Sequence, residues 1–197
     1  MPIMNCERCE NPAVIHVTNV RRGEELSEMH LCEECSRSYL AQPCPTDTAA
    51  PSSKADKGPA RHSGEVRVEV ERVIISEIYD QQAVIFREVD GERRLPFVLG
   101  IFEATTIDRT LKKLSLPRPL THDAWLATIA ALGAKLQAAC IHDLDVDKQT
   151  YFAELRFDRA GEMIRLDARP SDALTLALKA GVPFLIANRI LADASGS

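Results

Sequence analysis

Apolar residues alternate with polar ones from Val66 through Val68 to Val70 and then run on through Val73, Ile74 and Ile75, which predicts a strand. Ala83–Phe86 and Arg94–Leu99 flank an Asp90-Gly91 pair, the pattern of a hairpin. Ala104, Ile107, Leu111 and Leu114 then fall at helical spacing, as do Trp125, Ile129 and Leu132. Strands are expected at Leu136–Leu144, Tyr151–Phe157 and Met163–Leu166. A helix over about 171–180 should stop at Gly181 before Pro183, followed by a short strand Phe184–Ala187 and a small terminal helix. Strands in blocks with helices between them predict an α+β fold, with a mixed sheet and helices in the C-terminal domain.

The first 41 residues differ in pattern. They hold four of the six cysteines and few large apolar side chains. Residues 42–64 carry four prolines and almost no apolar bulk, so they read as a flexible linker spanning about 25–30 Å as a coil. The expected organisation is a cysteine module at 1–41, a linker at 42–64 and an α+β domain at 65–197.

Cys6-x2-Cys9 and Cys32-x2-Cys35 form two knuckles 22 residues apart. Strands at Ala13–Thr18 and Leu26–Leu31 would bring them together in a small zinc-ribbon hairpin. Four thiolates supply the soft tetrahedral donor set of a structural Zn²⁺ site, closed to substrate. A segment this short has too little core to fold alone, so the metal would provide its folding energy. A redox pair or two disulfides are the alternative readings. His16 and His30 are spare candidate ligands, with His30 read as solvent-facing or supporting the site through a hydrogen bond. Cys44 reads as a bystander thiol and Cys140 as a small buried hydrophobe.

Composition narrows the function. With 24 Lys plus Arg against 29 Asp plus Glu, the formal net charge is -5, which excludes a globally basic nucleic-acid coat but not a local basic patch such as Arg109, Lys112, Lys113 and Arg118. That patch reads equally as the solvated face of a helix. No apolar run is long enough to span a bilayer, and no secretory signal is visible, so the cysteines predict a reducing, cytoplasmic compartment.

Three polar clusters sit at loop-to-helix junctions: Gly100-x2-Glu103, Arg118-Pro119-Leu120-Thr121-His122-Asp123, and Asp167-Ala168-Arg169-Pro170-Ser171-Asp172. Helix capping explains part of this. Thr121 and Ser171 read as N-caps, with Asp123 and Asp172 in the first turns that follow. Capping does not explain Arg118 and Arg169 beside His122 and Asp167. Arginines can pair with carboxylates or grip a phosphate, and carboxylates with a histidine can hold Mg²⁺ or Mn²⁺ and activate water.

The cysteine module, through Cys6-x2-Cys9, Ile15-His16-Val17-Thr18 and His30-Leu31-Cys32-Glu33-Glu34-Cys35, resembles the zinc-binding N-terminal region of bacterial activators of arginine kinases. Residues 66–194, through the three polar clusters together with Leu95-Pro96, resemble the bifunctional nuclease domain of bacteria and plants, a family linked to DNA and RNA cleavage. That resemblance implies metal-assisted phosphodiester hydrolysis. Glu103, Asp167 and Asp172 would bind metal or activate water, His122 would act as general acid or base beside Asp123, and Arg118, Thr121, Arg169 and Ser171 would contact substrate. Many relatives add a C-terminal helical UVR motif that the sequence to Ser197 does not display, so properties tied to it are not expected here. The partners implied are DNA and/or RNA, a protein docked on the zinc ribbon, and a second copy meeting the apolar stretch Val66–Ile78. The competing readings are a non-catalytic adaptor and a redox switch built on the four cysteines.

Overall fold

Residues 4–21, 25–42, 64–114 and 116–195 are described by the computed structural model. The cysteine module contributes β1 (Ile15–Val20), β2 (Leu26–Leu31) and α1 (Glu33–Leu40). The alternating stretch becomes β3 (Glu65–Ser76), and the Asp90-Gly91 hairpin joins β4 (Gln82–Glu88) to β5 (Arg94–Leu99). Then follow α2 (Ile101–Leu111), α3 (Thr121–Ala131), β6 (Lys135–Asp145), β7 (Thr150–Arg159) and β8 (Glu162–Ala168). The chain closes with α4 (Pro170–Ala180), β9 (Phe184–Ala187) and α5 (Asn188–Ser195). The expected linker falls almost wholly on residues 43–63, outside the described ones, as does Cys44. No helix among the described residues is long and apolar enough to cross a membrane.

The contacts divide the chain into two compact units. One groups the described residues of 1–54 with 70–86 and 96–108. Here β1 pairs antiparallel with β2, His16 opposite His30, and with the Arg72–Ser76 end of β3. Its core gathers Cys6, Ile15, Val17, Leu31, Cys32 and Tyr39, with Ile74 packed against them. Two guanidiniums, Arg8 at 5.0 Å and Arg72 at 5.2 Å from the ring centre, stack on Tyr39. The Tyr39 hydroxyl accepts from Asn19, whose own carbonyl accepts from Arg72. Nearby polar burial is also satisfied, since the Thr18 hydroxyl donates to Asp108 at 2.6 Å.

The other unit comprises the described residues of 55–69, 87–95 and 109–197. The Glu65–Val68 end of β3 runs antiparallel to β9, β9 runs parallel to β6, and β6, β7 and β8 follow antiparallel. One parallel pair among antiparallel ones makes the sheet mixed, and the fold is α+β as its element order predicts. Period-2 alternation sends Ala139, Ile141, Ala153, Leu155 and Ile186 to one face, all fully buried. The buried side of α4, from Ala173 to Ala177, packs on β6 and β7, and α3 packs on α4. On the opposite face Arg156 is held between Glu65 and Glu154, its Nη1 2.8 Å from Glu65 and its Nε 2.7 Å from Glu154. Cys140 lies on that face in register with Glu154 and is fully buried, as its apolar setting predicts.

Three details depart from the sequence reading. Thr121 and Ser171 are not N-caps: Leu120 and Arg169 hold those positions, and Pro170 opens α4 at its first turn. Helix α2 stops at Leu111, short of Leu114, where Lys113 takes a left-handed φ of 52°. Much of the Val66–Ile78 stretch, expected to present an apolar edge, is used inside the fold: β3 pairs with β1, β9 and β4, and Val68, Val70 and Val73 are buried, while Ile78 is exposed.

Candidate functional site

Helices α3 and α4 begin beside one another, and their first turns carry the second and third polar clusters. His122 Nε2 lies 3.1 Å from Asp172 Oδ1. Arg169, the N-cap of α4, donates through Nε to Asp172 Oδ2 at 2.9 Å. Asp172 is thus gripped by a histidine from one helix and an arginine three residues earlier on its own chain. Burial opposes its ionisation, but the hydrogen bonds from Arg169 and His122 outweigh that and hold its carboxyl below the usual range. His122 and Asp172 are partly sheltered, at 18% and 25% side-chain exposure, while the Arg169 side chain is 69% exposed.

Asp123 is fixed from two directions. Its Oδ1 accepts from Lys179 Nζ at 2.6 Å, and its Oδ2 accepts from the Leu120 backbone N–H at 2.9 Å. The Lys179 ammonium, then the Leu120 amide, hold the Asp123 carboxyl low. Lys179 was not singled out from the sequence. Its signal was its spacing of seven from Asp172, which puts both residues on one side of α4 two turns apart.

The remaining candidates are spread wider. Thr121 and Arg118 are exposed at and before the start of α3. Ser171 is buried on the inner side of α4. Asp167 is exposed on β8 opposite Glu154, and Arg169 pairs with Asp172. Glu103 belongs to the other unit. There it sits in the first turn of α2 with its carboxylate folded back over Gly100, where an added Cβ would lie 2.7 Å from Oε2.

Both oxygens of Asp123 and of Asp172 are engaged by N–H donors. Among the described residues, no three His, Asp or Glu side chains gather as the four cysteines do. The expected Mg²⁺ or Mn²⁺ therefore finds no assembled carboxylate cradle there.

The cysteines do converge. The four sulfurs all lie within 4.8 Å of one another, with Cys9 Sγ 3.5 Å from Cys32 and 3.7 Å from Cys35. Zn–S bonds of about 2.3 Å in a tetrahedron place sulfurs about 3.8 Å apart, so the cluster could hold a metal such as zinc. These separations are far beyond a disulfide bond of about 2.05 Å. Each knuckle also turns a backbone N–H onto a sulfur, Arg8 onto Cys6 and Cys35 onto Cys32. Hydrogen bonding with Cys32 and Cys9, with desolvation, pushes the Cys35 thiol up to about 12. Burial raises Cys6, but amide donation from Cys32 and Arg8 outweighs it and brings the thiol down to about 6. Thiols packed this closely do not all ionise without a cation among them.

Comparison with known proteins bears on the C-terminal part of the chain. A family model for the bifunctional nuclease domain matches residues 84–197. Two Mycobacterium tuberculosis proteins, from strains CDC 1551 and H37Rv and both described as uncharacterized, are 40% identical over 131 residues, covering 66% of this chain and 76% of theirs. Bifunctional nuclease 2 of Oryza sativa subsp. japonica is 28% identical over 126 residues, 62% of this chain and 38% of that protein. The family match leaves the cysteine module outside it. The chain belongs to the bifunctional nuclease domain family.

Proposed function

We propose that this protein hydrolyses phosphodiester bonds of DNA and/or RNA at the paired starts of α3 and α4, in a reducing, cytoplasmic compartment. The observation that carries this reading is the linked trio of His122, Asp172 and Arg169, a histidine oriented by a carboxylate beside an exposed guanidinium. With Nε2–H donated to Asp172, neutral His122 keeps a lone pair on Nδ1 for the proton of an attacking water. The new O–P bond then forms as the ester P–O bond breaks, and the leaving oxygen is protonated from solvent. Asp172 steadies the imidazolium, while Arg169 and Arg118 offset the charge that builds on the phosphoryl oxygens. Thr121 stands at the first turn of α3, where backbone donors favour an anion. Asp123, clamped by Lys179, sets the path of the residues around His122. Glu103, Asp167 and Ser171 take no part in these steps. The four cysteines would hold a structural Zn²⁺ in a zinc ribbon that meets nucleic acid or a protein partner.

The test is to follow the His122 ring resonances while titrating the full chain with a short single-stranded oligonucleotide. Saturable shifts at His122, weakened by Arg169→Gln, are expected. Shifts confined to residues away from α3 and α4 would contradict the assignment.

One observation favours the adaptor reading. Phe102 is 82% exposed, with Val98 at 56% and Ile101 at 38%, an apolar group where β5 leads into α2. Such a cluster suits contact with another protein. Binding of a protein partner that Phe102→Ser abolishes, together with no cleavage of any nucleic acid, would establish that reading instead.

A further inference from the structure

We infer that His16 and His30 form a second transition-metal site, distinct from the four cysteines. The two residues face each other across the β1–β2 ladder, and their Nδ1 atoms stand 2.7 Å apart. A contact this short between two imidazole nitrogens needs one shared proton, donated by one ring to the lone pair of the other. A divalent ion that replaces that proton gains two neutral imidazole ligands already aimed at one point.

The fit is close. Zn–N bonds of about 2.0–2.1 Å in a tetrahedron set the nitrogens about 3.3–3.4 Å apart, so the rings need to open by roughly 0.6 Å. The rings are inclined at 69° with centres 5.0 Å apart, so the opening needs only small side-chain rotations. The outer hydrogen bond is also in place. His16 Nε2 lies 3.0 Å from Glu77 Oε1, which fixes Nε2 as the protonated nitrogen and leaves Nδ1 to the metal. At His30 the backbone is anchored instead, its N–H donating to the Glu7 carboxylate at 2.9 Å and its carbonyl accepting from the Glu7 amide at 2.9 Å.

The donor set defines the class of ion. Imidazole suits zinc, copper and nickel, and two protein ligands leave about two positions of a tetrahedral ion open to water or to a donor from outside. That makes it an exchangeable site, in contrast to the closed set of four sulfurs. Its place on the β1–β2 hairpin puts it in the unit that carries the cysteines.

The experiment is equilibrium dialysis of the full-length chain against buffered Zn²⁺, with zinc per chain counted by atomic emission. The wild type is expected to bind two zinc ions, and the His16→Ala/His30→Ala variant one. Glu77→Gln, which keeps both ligands, is expected to weaken only the second ion, by roughly 10-fold. A single zinc in the wild type that survives the histidine changes, or two that survive them, would overturn the assignment. If the double variant fails to fold by circular dichroism, the Glu77→Gln affinity decides, and no change there counts against the site. A parallel Co²⁺ titration separates the two sites, since thiolate-to-cobalt charge transfer reports only the cysteines. Its absence would sink the zinc-ribbon reading while leaving the histidine site to its own count.

Discussion

Lys179 Nζ lies 2.6 Å from Asp123 Oδ1, joining the last turn of α4 to the first turn of α3 across 56 positions of sequence. Asp123 also accepts from the Leu120 amide, so one carboxylate ties the N-terminus of α3 to the neighbouring helix. His122 stands between these anchored residues. Its approach to Asp172 depends on the clamp at the far end of α4 as well as on its own turn.

Lys179→Met should therefore act twice. The ion pair is partly exposed, with Asp123 at 38%, so its loss should cost only about 1 kcal/mol in urea unfolding. Any cleavage activity should fall further than that stability loss explains, because the helix bearing His122 loses its tether. A variant with wild-type turnover would remove Lys179 from the account.

Acid should weaken the fold through the same carboxylates. Asp123 and Asp172 are both held below the usual range, Asp123 by Lys179 and Leu120 and Asp172 by Arg169 and His122 against its burial. The unfolded chain then binds protons more readily than the native one. Their contribution is complete above the unfolded carboxyl pKa of about 3.9 and is lost as pH falls through the lower native values. Urea midpoints measured from pH 6 to pH 2.5 should drop below about pH 4, and Asp172→Asn should flatten part of that drop. An unchanged slope in Asp172→Asn would refute the assignment.

Arg156 should be costly to remove alone. It sits at 9% side-chain exposure between Glu65 and Glu154, so Arg156→Met leaves two carboxylates in a sheltered face. Breaking a buried pair in this way costs about 3–5 kcal/mol. Adding Glu65→Gln and Glu154→Gln should recover much of the loss. A triple variant no more stable than Arg156→Met would show that packing, not stranded charge, sets the cost.

Metal removal should be felt locally. Cys6 and Cys32 are part of the core with Ile15, Val17, Leu31 and Tyr39. Chelation under reducing conditions should speed amide exchange in β1 and β2 well before it does so in β6 and β7. Cys9→Ser should reproduce the effect without chelator. Uniform protection in metal-free and metal-loaded protein would mean that the cysteines contribute nothing beyond packing.

Much of the architecture was legible because it rests on local rules. Period-2 alternation marked β3, Asp90-Gly91 marked the hairpin, and Gly181 at φ 66° ended α4 where the sequence placed the stop. The cap positions were misread because side-chain preference competes with other devices. Pro170 sets the first turn of α4, and the Leu120 amide is satisfied by the Asp123 carboxylate, so neither Ser171 nor Thr121 is needed as a cap. Contacts set by long-range register left no comparable trace. The His16–His30 contact follows from which residues of β1 and β2 stand opposite each other, and Lys179–Asp123 from how α3 lies on α4.

The most direct measurement is cleavage of labelled single- and double-stranded DNA and RNA by the full chain, with Mg²⁺, Mn²⁺ or neither. It is run beside His122→Ala carried through the same purification, with zinc content and circular dichroism matched. The wild type is expected to cleave at least one substrate, and the variant to lose about 100-fold or more of that activity. Equal cleavage by both proteins, or none by the wild type on any substrate, would contradict it.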